Sequence, residues 1–396
     1  MMVKGWTQGR FSLLIFIVLT SGFVQGLLLP LQATILEQQG ISSSLNGLNT
    51  MALYLGVLVV LPFCGGAVRR FGYRGVILIG GAMTLVSVLL FPLFSHLTIW
   101  IVLRLLVGAG DSMIHYATQL WVAIASPKEQ RGKLISQYGV AFGLGFGLGP
   151  LGVNLLVFGE WVPFAVMAVL LMLAILLAVR LDQAFPPQQN KERKYSWKKS
   201  MLMVYRLGFV GLIATLIYGF LEASIAGMYP VYGLRAGLSS GMISIVITAF
   251  ICGSLLLQLP LGILSDRYGR RRILLFIAMI GMVGMALLPW AHTTSAYMVI
   301  LLFALMGAFV GSLYSLGLVF LADRVPKEQM PEANALASAQ FAIGSMMGPL
   351  IGGVLLQTIG GGSLFYFLAL LFAVFIVMIV IDQLRPIHAE MEYPAA

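Results

Sequence analysis

The chain has 396 residues, 60% hydrophobic and only 10% charged, against about 25% charged in a typical soluble domain. A mean hydropathy of +0.97 excludes a water-soluble globule. The formal charge of +10 points to basic loops at one membrane face and not to nucleic acid.

The apolar runs are continuous, as in VLLMLAILLAV (169–179). They predict helices, not the alternating strands of a membrane barrel. The first run follows MMVKGWTQGR and continues to about Leu36, too long for the core of a cleaved leader. Six spans are predicted at 11–36, 47–68, 75–94, 97–125, 131–156 and 160–181. Six more follow at 205–233, 240–264, 273–290, 295–322, 330–357 and 363–383. The one long polar interval, QAFPPQQNKERKYSWKK (183–199), reads as a linker. The predicted class is an all-α membrane protein of twelve transmembrane helices in two pseudo-symmetric six-helix bundles. They cover 1–182 and 205–396, joined by a cytoplasmic linker at 183–204.

Among the 24 Lys and Arg, Arg235 alone falls in an outer loop and Arg104 inside a span. All the others collect at one face, which predicts cytoplasmic termini. Trp100, Trp161 and Trp290 are expected at outer span ends, and Trp6, Trp121 and Trp197 near inner ends, where amphipathic rings sit. Cys64 and Cys252 lie in apolar runs, and His96, His115, His292 and His388 are scattered. No disulfide framework, metal spacing or cofactor motif results.

The two parts of the chain repeat at an offset of about 197 to 199 residues. GFVQ (22–25) matches GFLE (219–222), and GGAVRRFGYR (65–74) matches GILSDRYGRR (262–271). PKEQ recurs at 127–130 and 326–329, and GPL at 149–151 and 348–350. Parallel repeats place a pathway between them along the membrane normal.

These residues resemble the major facilitator superfamily over essentially the whole chain. The family's loop pattern, G-x-x-x-D-R-x-G-R-R/K, is complete at Gly262, Asp266, Arg267, Gly269, Arg270 and Arg271. The first copy keeps Gly65, Arg70 and Gly72 but carries Arg69 where Asp is expected. The resemblance implies that this charge cluster locks the closed cytoplasmic side of the outward-facing state. RLLVGAG (104–110) looks like the family's R-x-x-x-G-x-G, an arginine linked to proton coupling or cavity packing. The antiporter-like G-x-x-x-G-P-x-x-G-G is complete at Gly344, Gly348, Pro349, Gly352 and Gly353. In the fifth span it is partial, with Gly145, Gly149 and Pro150 followed by Val153 and Asn154. Small residues let helices approach and proline bends them, so these positions read equally as close packing. The resemblance also implies a monomer and a cavity lined by spans 1, 4, 7 and 10.

An ionisable group at the bilayer centre costs roughly 2.5–3.5 kcal/mol on insertion scales and is a functional candidate by default. Arg104, Gly108, Asp111, His115 and Thr118 recur at steps of three and four and share one face. Glu222 lies mid-span in the seventh helix, with Tyr218 and Tyr229 read on its face. Its repeat partner is Gln25, with Gln32 two turns on, and Tyr314 is the partner of His115. Asp111, Glu222, Arg104 and His115 are therefore the proton-coupling candidates. Gln25, Gln32, Asp111, His115, Tyr218, Glu222, Tyr229 and Tyr314 are the candidates for substrate contact. Desolvation favours the neutral form of a carboxyl, which suits proton loading near neutral pH.

The expected activity is proton-coupled secondary transport of small organic molecules, amphipathic or cationic, as an exporter working by alternating access. Alternatives are symport uptake, or movement of an anionic amphiphile such as a metal-chelating metabolite or lipid-linked sugar. An enzyme would need a nucleophile–base or metal motif, and HExxH is absent from the sequence. The expected setting is a bacterial plasma membrane, with protons, substrate and lipid as partners.

Overall fold

The computed structural model describes residues 8–127, 130–186, 197–326 and 329–384. Helices α1 (Gln8–Gln38), α2 (Ser43–Leu90), α3 (Leu97–Ala125), α4 (Arg131–Leu148), α5 (Val162–Val179) and α6 (Trp197–Arg235) come first. They are followed by α7 (Ser240–Tyr268), α8 (Arg270–Thr294), α9 (Ala296–Val310), α10 (Leu313–Arg324), α11 (Met330–Thr358) and α12 (Ser363–Leu384). Among the described residues, eleven stretches are long and apolar enough to cross a bilayer.

One of them, Ser43–Leu93, has 51 residues. Straight, it would run about 75 Å, more than twice a hydrocarbon core of about 30 Å. It breaks at Gly72, whose φ of 72° and ψ of 172° are not helical. Both limbs then lie against α3. The Leu53 carbonyl backs onto Gly108, and the Gly80 carbonyl onto Gly110. The α2 chain is thus a hairpin of two crossings, the second and third predicted spans.

Two predicted spans are not single α-helices. The fifth leaves α geometry at Gly149–Phe158, a 3-10 stretch opened by Pro150, which has no amide proton to donate. The tenth divides into α9 and α10 at Gly311 and Ser312, where Gly311 presses on the Cα and Cβ of Ser254. Helix α6 also begins at Trp197, inside the expected linker, and bends at Gly208.

The repeat is built into the packing. Gly108 abuts the carbonyl of Leu53, and Gly307 that of Phe250. Gly145 and Gly149 of the fifth span lie on the backbone of α1, as Gly344 and Gly348 of α11 lie on α6. Ser42 caps α2 by accepting from the Leu45 amide at 3.4 Å, and Ser239 caps α7 from the Met242 amide at 3.2 Å. Each pair obeys the repeat offset, so equivalent sequence positions solve the same contact twice. Pro150 is buried beside Gly149, and Pro349 presents its carbonyl to Gly47 across the halves.

Among the tryptophans, Trp161 and Trp290 are exposed as expected at the end away from the basic loops. Trp100 is buried and donates to the Phe94 carbonyl at 2.6 Å. Trp121 departs from its expected interfacial place. It is buried and stacked on Tyr73 at 5.2 Å, because α2 folds back over it. Trp6 and His388 lie outside the described residues.

The two halves meet most closely at the end away from the basic loops. Arg235 bonds Glu37 and Ser43, Ser44 donates its amide to Gln357 at 3.1 Å, and Asn154 donates to Ser244 at 3.1 Å. At the basic end a cavity of about 1020 Å³ opens between α1 and α4, lined by Phe11, Ile15, Leu19, Lys133, Gln137 and Leu144 among others.

Candidate functional site

Asp111 sits in the middle of α3, buried, with helix on both sides. It accepts a hydrogen bond from Ser21 of α1. His115, one turn on, places Nε2 3.6 Å from the Asp111 carboxylate and 3.4 Å from the Ser21 hydroxyl. Its Nδ1 lies 2.9 Å from the Tyr138 hydroxyl of α4, and that hydroxyl is 3.1 Å from Thr118. A continuous chain of polar groups therefore runs Ser21–Asp111–His115–Tyr138–Thr118 through α1, α3 and α4. Each link can both give and take a proton, and the imidazole joins the two ends.

Glu222 occupies the corresponding depth of α6, half-buried, with the Tyr218 hydroxyl of the same helix as its hydrogen-bond partner. Tyr218 packs on Tyr314 at 6.3 Å and on Phe341 at 6.1 Å. Tyr314 meets Phe341 edge-on at 5.5 Å and 77°. In the other half His115 meets Phe142 edge-on at 4.6 Å and 88°. Phe142 and Phe341 are repeat partners, as are His115 and Tyr314. The two carboxyls are thus framed by one aromatic pair each, in equivalent geometry.

Tyr54 of α2 is buried and lies within electrostatic reach of Glu222, Arg104 and Asp111 at once.

The structure separates several residues that the sequence placed together. Arg104 does not pair with Asp111. It is fully buried and donates to the Gln32 side chain and to the Leu28 carbonyl at 3.3 Å. Gln32, expected at the cargo, is wholly buried and accepts from Asn49 at 3.1 Å as well. It holds Arg104 in place and is removed from the cavity. Tyr229 is also fully buried, 3.1 Å from His292 and packed on Phe303 at 4.7 Å, inside the second half. It lies seven residues from Glu222, about 10 Å along α6, and at that level the face meets His292 and Phe303. Gln25 remains half-buried on α1, one turn beyond Ser21.

Sequence reasoning missed Ser21, Tyr138 and Tyr54. Ser21 had a signal: it is the repeat partner of Tyr218. Tyr138 and Tyr54 had none, since their partners by offset are Ala337 and Ile251.

The sequence profile of the Major Facilitator Superfamily matches residues 14–239 and again 211–390. An uncharacterised MFS-type transporter of Bacillus subtilis, YfkF, is 38% identical over 364 residues, 91% of this chain and 92% of the relative. The chain belongs to the Major Facilitator Superfamily. The uncharacterised MFS-type transporter YcaD of Salmonella enteritidis is 23% identical over 342 residues, 84% of this chain and 85% of its own. Among solved structures, the D-xylose-proton symporter superposes with a TM-score of 0.74 at 16% identity, covering 94% of this chain and 96% of that one. That likeness supports the superfamily fold, and the protein is a multi-pass membrane transporter.

The superfamily's loop pattern has a different structure in its two copies. In the second, Asp266 pairs with Arg270 one turn on, and Arg270 reaches Asp323 of α10 at 3.1 Å and Ser265 at 2.5 Å. Gly269 turns the chain at φ 94°. In the first, Gly72 turns it at φ 72°, and the turn is held without an ion pair among the described residues: the Tyr73 amide donates to the Ala184 carbonyl at 2.9 Å, and the Gln183 side chain to the Phe71 carbonyl. Arg70 lies 5.3 Å over the Phe71 ring. Gly65 faces the Tyr116 hydroxyl, while Gly262 and Arg267 are in the open at the end of α7.

Proposed function

We propose that this protein is a proton-coupled exporter of small organic molecules, working by alternating access of its two halves in a bacterial plasma membrane. The observation that carries the reading is a carboxyl inside a span of each half, the buried Asp111 and the half-buried Glu222, each with a hydroxyl partner and neither paired with an arginine among the described residues. A carboxylate locked to a guanidinium stays charged, whereas one held by hydroxyls can exchange its proton. Buried acids in a span are expensive and are expected to act.

Cargo and proton compete for these carboxyls. In this reading the basic face is cytoplasmic, and the ties between the halves at the other face keep the outside closed. Cargo enters from the cytoplasm while the carboxyls are empty of protons. The halves rock, protons arriving from outside displace the cargo, and the return is made protonated. The apolar, aromatic walls around Glu222, formed by Tyr218, Tyr314 and Phe341, suit amphipathic or cationic compounds. Uptake by symport would use the same carboxyls with the opposite sign of flux. Anionic cargo is less well served, because Arg104 is shut away with Gln32.

The test is the pH outside proteoliposomes holding a proton gradient, read as lipophilic cations are added to wild type and to Glu222→Gln. Dissipation by wild type alone supports coupled export. No response to any cation in either protein overturns the exporter reading.

A further inference from the structure

A second polar cavity, remote from Asp111 and Glu222, lies where α8 begins and α10 and α12 end. It has a volume of about 490 Å³. Four arginines line it, Arg270, Arg271, Arg272 and Arg324, with Asp323 as the one acid in the lining. The charges are unequally matched. Arg270 is satisfied by Asp266 and Asp323. Arg271 and Arg324 share a single carboxylate, the buried Asp382. Nε of Arg271 is buried without a hydrogen-bond partner. Arg272 is exposed and has no ion pair or hydrogen bond among the described residues. The site therefore keeps surplus positive charge and spare N–H donors in a concave wall.

Its surroundings say what kind of anion fits. Beside the arginines, the outer faces of α8 and α12 are apolar and exposed, with Phe276 43% and Ile381 46% accessible. Tyr268, also exposed, stands at the rim. A basic pocket directly above an apolar, lipid-facing wall is the arrangement that takes a lipid headgroup. Guanidinium forks match phosphate oxygens with two parallel hydrogen bonds.

We propose that the Arg271–Arg272–Arg324 pocket binds the phosphodiester headgroup of an anionic phospholipid in the leaflet at the basic face. The acyl chains lie along Phe276 and Ile381. The phosphate supplies the negative charge that Asp382 alone does not, and it ties the start of α8 to the ends of α10 and α12.

The full chain, purified in detergent, is examined by native mass spectrometry with dioleoyl-phosphatidylglycerol, dioleoyl-phosphatidylcholine and inorganic phosphate as probes. Wild type is expected to retain phosphatidylglycerol about tenfold over phosphatidylcholine. Arg272→Gln, which removes no ion pair or hydrogen bond among the described residues, is expected to weaken that retention roughly five-fold, the worth of one surface cation. Arg272→Lys is expected to restore most of it. Equal retention of the two lipids, or Arg272→Gln binding like wild type, overturns the proposal. Millimolar inorganic phosphate that displaces phosphatidylglycerol assigns the pocket to a free anion and overturns the lipid assignment. The readout is binding alone, so it stands whether or not transport is proton-coupled.

Discussion

Arg235 and Glu37 join the two halves of the protein at the face opposite the basic loops. The guanidinium donates from Nε at 2.7 Å and from Nη2 at 3.2 Å to the two carboxylate oxygens. The same Nη2 donates to Ser43 at 2.6 Å, and Nη1 donates to the Leu356 carbonyl at 3.2 Å. One side chain from the end of α6 thus fastens the ends of α1, α2 and α11. In the sequence Arg235 was the lone cation on the wrong side of the charge distribution. The structure gives it an anionic partner and a position at a closed face.

Arg235→Gln is expected to loosen that face. Charge-assisted hydrogen bonds contribute about 1.5–3 kcal/mol each when buried and less at an exposed rim. A shift of roughly ten-fold toward the state open at that face follows. Distance distributions between spin labels at Gln39 and Thr358 measure it. An unchanged distribution in Arg235→Gln removes any role for the pair in holding the halves.

Glu222→Gln and Asp111→Asn keep shape and hydrogen bonding but carry no exchangeable carboxyl proton. Each is expected to cut substrate-linked proton movement at least tenfold, with melting temperature held near wild type. Tyr218→Phe removes only a hydroxyl partner and is expected to reduce the same signal by a few-fold. Proteoliposome pH recordings rank the three. Full coupling in either carboxyl variant would exclude that residue as a proton carrier.

Arg104 is fully buried and is held by one amide oxygen and one carbonyl. Gln32→Leu leaves the guanidinium with the Leu28 carbonyl alone. The cost of stranding a buried charged donor is on the order of 2–4 kcal/mol. Thermal unfolding in detergent is expected to fall by several degrees, and Arg104→Met in the same background should recover part of it, since the stranded charge is gone.

The two turn glycines differ in what surrounds them. At Gly269 nothing lies within 4 Å of an added Cβ, so Gly269→Ala meets only the strain of φ 94°, on the order of 1–3 kcal/mol. At Gly72 the same Cβ would come to 2.7 Å from Gln183 Nε2 and 2.8 Å from the Ala184 carbonyl. Gly72→Ala is expected to be the more damaging, by roughly another 1–2 kcal/mol. Melting curves of the two variants side by side decide it.

Much of the architecture was readable in one dimension because lipid leaves few options. Backbone groups in hydrocarbon must bond within their own helix, so runs of apolar residues mark the crossings, and lysine and arginine mark one face. The offset repeat was equally legible, and packing of Gly108 on Leu53 and of Gly307 on Phe250 carries it into three dimensions. The sequence alone also singled out Asp111 and Glu222 as candidates, since a carboxyl in the middle of an apolar run is costly to bury without a partner. Tertiary structure decided their partners. Helical spacing put Arg104, Gln32 and Tyr229 with the carboxyls, but a face is a direction relative to a helix axis, and bends and neighbouring helices choose what it meets. Arg104 turned to Gln32, Tyr229 to His292, and Asp111 found Ser21 of α1, 90 residues away in the chain. Contacts made across such separations depend on how helices dock, and no local pattern in the chain records that.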